Sequence, residues 1–106
     1  MKLITAIIHD DDAHGVMDEL SKHGFGVTKL ASTGGFLKSG NTTLIIGAEE
    51  DKVEEAIKLI EKRCKSRKQI TSANLPSTEG YIPYPIEVTV GGATIFVLDV
   101  DQFKKI

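Results

Sequence analysis

The sequence predicts an α+β sandwich: two helices on one face of an antiparallel sheet, in the order βαββαβ with an additional C-terminal hairpin strand, the ferredoxin-like arrangement. Three observations predict it. Short apolar runs, too brief for helices, stand near the start and end of the chain at residues 3–8 and 93–100. Two longer stretches repeat apolar residues at helical spacing, and Gly- or Pro-rich segments separate the elements. A chain of 106 residues is one domain, 1–106, with a single modest core.

Residues 3–8 form the first strand, cut off by His9-Asp10-Asp11-Asp12. Ala13, Val16, Met17 and Leu20 then follow i, i+3, i+4, i+7, which predicts a helix of about 11 to 13 residues. An Asp among residues 10–12 is the expected N-cap, and Gly24 suits the left-handed position past the helix end. Residues 26–31 and 41–47 read as strands joined by a Gly-rich loop. A second helix is expected over 50–67, burying Val53, Ala56, Ile57, Ile60 and Cys64. Acids crowd its start and Lys62, Arg63, Lys65, Arg67 and Lys68 its end, as the helix dipole favours. Residues 71–84, with Pro76, Gly80 and Pro83, lack periodicity and read as a loop. Residues 86–90 alternate as a strand, and Gly91-Gly92 fits a two-residue hairpin turn into the last strand.

Thirteen basic against fifteen acidic residues leave a net charge of −2, without the electrostatic footprint of a nucleic-acid polymer or membrane binder. The lone Cys64 cannot form an internal disulfide, and no signal peptide or membrane span fits, so a cytoplasmic protein is expected. Both faces of the first and last strands are apolar: Leu3 and Ile7 alternate with Ile4, Ala6 and Ile8, and Ile95 and Val97 alternate with Phe96, Leu98 and Val100. Two helices cover only one face, so the other is expected to pack against further copies of the chain.

No pattern specifies catalysis. The His9 to His14 cluster superficially offers metal ligands, but consecutive residues at a strand end diverge, and the acids serve a helix start. No Gly-x-Ser-x-Gly elbow or His-Glu-x-x-His helix occurs. The densest signal is Thr28-Lys29-Leu30-Ala31-Ser32-Thr33-Gly34-Gly35-Phe36-Leu37, followed by Gly40-Asn41-Thr42-Thr43. Its glycines and hydroxyls suit an anion-binding nest. Phe36 offers a ring on which a base stacks for about 1–3 kcal/mol, and the Asn41 amide both donates to and accepts from a purine edge.

These residues, with Tyr81-Ile82-Pro83-Tyr84-Pro85 and Val88-Thr89-Val90-Gly91-Gly92-Ala93-Thr94-Ile95-Phe96-Val97-Leu98, closely resemble the PII-like cyclic di-AMP receptor family of Gram-positive bacteria. The resemblance spans nearly the whole chain. It implies a PII-like homotrimer without enzymatic activity, binding one cyclic di-AMP in each of three clefts between subunits and signalling to an unknown downstream protein. It puts Thr28, Gly35, Phe36, Leu37, Asn41, Gly47 and Phe96 in the cleft and implies that loops 33–40 and 71–84 respond to the ligand; no cofactor or metal is implied. Phe36 and Phe96 would meet the adenines, Asn41 and the backbone at Gly47 would read a purine edge, and Thr28 would hold phosphate oxygens.

The sequence departs from the family pattern at Gly26, where an arginine commonly faces the phosphates, and in a shorter 71–84 segment. Hydrogen bonds to charged groups contribute about 1.5–3 kcal/mol, so one lost contact weakens binding by roughly 10- to 100-fold. Lys29 and Lys38 are the nearby cations that could compensate. The alternative expectation is a PII-like trimer that has lost this ligand and binds another nucleotide or serves as an interaction module.

Overall fold

The computed structural model describes residues 1–30, 40–64, 67–77 and 80–106. The chain runs β1 (Lys2–His9), α1 (Asp10–Lys22), β2 (Val27–Leu30), β3 (Asn41–Ala48), a 3₁₀ turn (Glu50–Lys52), α2 (Val53–Arg63), β4 (Arg67–Ser77), β5 (Gly80–Val90) and β6 (Ala93–Asp99). Strands β2-β3-β1-β6 form one antiparallel sheet in that order, the ferredoxin-like topology. Among the described residues, strands β4 and β5 pair only with each other.

The core lies between this sheet and the two helices. Period-2 alternation sends Ile4, Ala6 and Ile8 of β1 and Leu44 and Ile46 of β3 to the helix side, where they are fully or almost fully buried. Val16 and Leu20 of α1 and Ala56 and Ile60 of α2 meet them. Each of the Val, Leu and Ile side chains among them contributes about 1.5–3 kcal/mol by leaving water.

Helix α1 starts differently from the expectation. The cap is His9, whose Nδ1 accepts from the Asp11 N–H at 3.2 Å. Asp10 instead accepts from the Thr42 hydroxyl, and its own N–H donates to the Gly40 carbonyl at 2.9 Å, tying the helix start to β3. The helix ends as predicted at Gly24, with φ +83°. The Gly24 N–H donates to the Ser21 carbonyl and the Phe25 N–H to the Leu20 carbonyl, the paired closure of a Schellman motif.

Helix α2 is shorter than the sequence suggested, because the chain turns at the buried Cys64 and Arg67 already belongs to β4. Its last two residues share one task. Lys62 Nζ donates to Glu19 Oε1 at 3.0 Å, and Arg63 Nη2 donates to Glu19 Oε2 at 2.9 Å. Glu19 is buried on α1, so this clamp joins the two helices. The bonds from Arg63 and then Lys62 outweigh the cost of burying the carboxylate and hold its pKa down to about 2.

Two further expectations are corrected. Residues 71–84 are not a loop but most of a two-stranded ladder in continuous register from Arg67↔Val90 to Ser77↔Gly80. Pro76, Pro83 and Pro85 pair with Tyr81, Asn74 and Ser72, all positions of one parity. Since proline has no N–H, these are the pairs without ladder bonds, and the alternate pairs carry the pairing. Gly91-Gly92 likewise makes no hairpin. β5 stays with β4, β6 crosses to β1, and both glycines take positive φ, +85° and +79°, at a corner between two sheets. The Gly92 N–H donates to the Cys64 carbonyl, joining the two strands of chain at the base of the arm. The radius of gyration, 17.8 Å, exceeds the roughly 13 Å of a compact chain this long, as a projecting arm requires. Among the described residues no helix is long and apolar enough to cross a membrane.

Candidate functional site

The face of the sheet away from the helices carries the residues of interest. Registers across the strands set its rows. Phe96 of β6 lies beside Thr5, Thr5 beside Ile45, and Ile45 beside Thr28 of β2. In the next row Leu98 and Gly47 flank Leu3, and at the far end of β3 Asn41 lies beside His9. Thr28, Asn41, Gly47 and Phe96 therefore share one face. Phe96 and Leu98 are each 53% exposed, whereas the opposite face holds the core.

At one end of this face is a pocket of about 660 Å³. Leu3, Gly26, Thr28, Ile45 and Gly47 form its floor, and Val100, Phe103, Lys104 and Lys105 of the chain end form its wall. Gly26 and Gly47 have no conformational reason to be glycine, since neither has positive φ. Nor does packing demand it: a Cβ on either would meet nothing within 4 Å. Glycine within a strand, as Gly47 is within β3, weakens it. What the two glycines provide is an open floor where a ligand can approach the backbone of β2 and β3.

At the other end a smaller recess of about 340 Å³ lies between Asn41, His9 and the Gly91-Gly92 corner, with Thr94 beside it. Asn41 is half-buried there. The two sites are far apart. Six residues of extended chain put Gly47 roughly 20 Å from Asn41, and three strand spacings put Thr28 roughly 14 Å from Phe96.

The profile of the cyclic-di-AMP receptor family matches residues 1–106, the full length of the sequence. The chain belongs to the cyclic-di-AMP receptor family. This is a family of binding and signalling proteins, not of enzymes. The chain is also similar to a crystal structure described as a functionally unknown protein from Pediococcus pentosaceus. The TM-score is 0.75 at 44% identity, covering 99% of this chain and 96% of that one.

For a receptor the relevant question is which predicted contacts the fold assembles. Thr28 and Gly47 share the larger pocket; Asn41 occupies the separate recess, and Phe96 stands on the open sheet between. Gly35, Phe36 and Leu37 lie outside the described residues, as does Lys38. Lys29 does not stand in for an arginine at Gly26: it pairs with Leu44 on the helix side, opposite to Thr28. Sequence reading missed Phe103, Lys104 and Lys105. Their signal was an aromatic followed by two lysines just beyond the last predicted strand, where no core remains to be filled.

Proposed function

We propose that the protein is a cytoplasmic signalling protein that binds cyclic di-AMP in clefts between the subunits of a homotrimer. The observation that carries this reading is the separation of the two sites along β3. A single dinucleotide does not bridge Thr28 and Gly47 to Asn41 across roughly 20 Å of one chain, but it meets both when the Gly47 end of one subunit faces the Asn41 end of the next. The exposed Phe96 and Leu98 are apolar surface of the kind that neighbouring chains or adenine rings cover. In this reading Thr28 holds phosphate oxygens, Asn41 and the Gly47 backbone read purine edges, and Phe96 contacts an adenine, joined by Gly35, Phe36 and Leu37. A cytoplasmic home keeps a lone thiol such as Cys64 reduced.

The switch in this reading is a response of loop 33–40 to the ligand, together with movement of the β4–β5 arm, which takes the place of the expected 71–84 loop. The Asn41 recess contains the Gly91-Gly92 corner from which the arm departs, so a base bound at Asn41 touches the arm's root. The altered arm then presents a different surface to a downstream protein.

Light scattering and calorimetry test this together. The expected result is a trimer that binds about one cyclic di-AMP per subunit, prefers it to cyclic di-GMP, AMP and ATP, and loses about tenfold or more in affinity in Asn41→Ala. A monomer, or a heat signal with ATP but none with cyclic di-AMP, would overturn it.

A further inference from the structure

We propose that Lys104 and Lys105 supply the positive charge that meets the two phosphodiesters of cyclic di-AMP, a role the strands themselves do not fill. The inference rests on the reading of the open face as the cyclic di-AMP site. It begins from the pocket's composition. Its floor offers glycine backbone and the Thr28 hydroxyl, neither of them cationic, and its lining includes two lysines, Lys104 and Lys105.

Lys29 lies on the opposite face of the sheet, and the cations at the Met1 end of the pocket are engaged. Lys2 is bound to Asp99, and the Met1 ammonium stands 3.9 Å from Glu49. Lys52, Lys62, Arg63 and Lys68 likewise each face a carboxylate. Lys104 and Lys105 form no ion pair among the described residues, and both are exposed. Two adjacent lysines that form no ion pair among the described residues thus line a glycine-floored pocket.

An anion arriving there gains both lysines without breaking an existing ion pair, the arrangement in which a charge-assisted hydrogen bond counts most. The tail leaves the sheet beside this pocket. The Val100 N–H donates to the Met1 carbonyl at 3.2 Å, fixing the point where the chain leaves the sheet, and residues 101–106 beyond it are all exposed. Gly26 lines the same pocket as the lysines, and a Cβ there would meet nothing within 4 Å, so the pocket can take its cation from the tail in place of one from the strand.

The test is calorimetry with cyclic di-AMP on the full chain, on Lys104→Gln/Lys105→Gln, and on that double variant with Gly26→Arg added. Glutamine keeps length and hydrogen bonding and removes charge, and the exposed tail leaves folding undisturbed, which circular dichroism verifies. The expected result is a 10- to 100-fold weaker Kd in the double variant, a shallower dependence of Kd on salt, and recovery of both on adding Gly26→Arg. If the double variant binds with the parent affinity and salt dependence, the lysine assignment is overturned while the ligand reading stands. If the parent chain does not bind cyclic di-AMP, the ligand reading and this proposal fall together.

Discussion

The two faces of the four-stranded sheet are built from alternate residues of the same strands, yet they obey different rules. On the helix side Ile4, Ala6, Leu44 and Ile46 are fully buried, and size and shape decide each position. On the other side the rows mix glycine, threonine, asparagine and exposed aromatic or aliphatic groups, including two glycines that neither backbone conformation nor packing requires. The contrast teaches where to look for function in a small sandwich. The covered face explains why the chain folds, and the uncovered one is chemically odd in ways that folding does not explain.

The largest expected effect breaks the covered face. Ile46→Ala removes a fully buried side chain and costs about 2–5 kcal/mol in urea unfolding. Its counterpart Phe96→Ala leaves far-UV circular dichroism unchanged and shifts the light-scattering mass toward the single chain. Equal loss of stability in both variants would erase the distinction between the faces.

Next comes Gly47→Val, which sharpens the contrast at one position. A β-branched residue suits the strand and meets open space, so unfolding stability stays within about 1 kcal/mol of the parent or rises. Cyclic di-AMP affinity drops at least tenfold because the new side chain blocks approach to the β3 backbone. Undiminished binding would show that the pocket floor is not used.

The smallest effect concerns the helix layer and is read against pH. Glu19 has a folded pKa of about 2, below its ordinary value of 4.5. The stability from its clamp is therefore complete above about pH 4.5 and is lost as pH falls toward 2. The stability difference between the parent and Glu19→Gln is expected to be constant near neutrality and to shrink across that window. A difference independent of pH down to 2 would place the clamp's contribution elsewhere.

Much of the sandwich was legible because its signals are local. The stripe Ala13, Val16, Leu20 and the alternation of β1 each report burial on one face, and Gly24 marks its helix end by backbone conformation. The arm was illegible for a related reason. A two-stranded ladder off the core needs no periodic apolar pattern, and its prolines read as loop until their shared parity is known. Gly91-Gly92 gives the same local signal for a hairpin turn and for a corner, and only the pairing of β6 with β1 separates them. His9 as a cap was hidden behind three better capping residues. Of the site, alternation puts Asn41 and Gly47 on one face of β3, but that Thr28 and Phe96 share that face follows only from the registers across the strands. The tail could not be placed, because where a chain end folds back depends on tertiary structure.

The parity of the three prolines also bears on how crowded receptors avoid one another. In a two-stranded ladder both strands are edges, and the pairs without ladder bonds point their N–H groups outward. Pro76 removes such a donor from one edge, and Pro83 and Pro85 remove two from the other. An arm from a second molecule thus meets margins already stripped of part of the template for continuing the ladder, so the arms can project without polymerising.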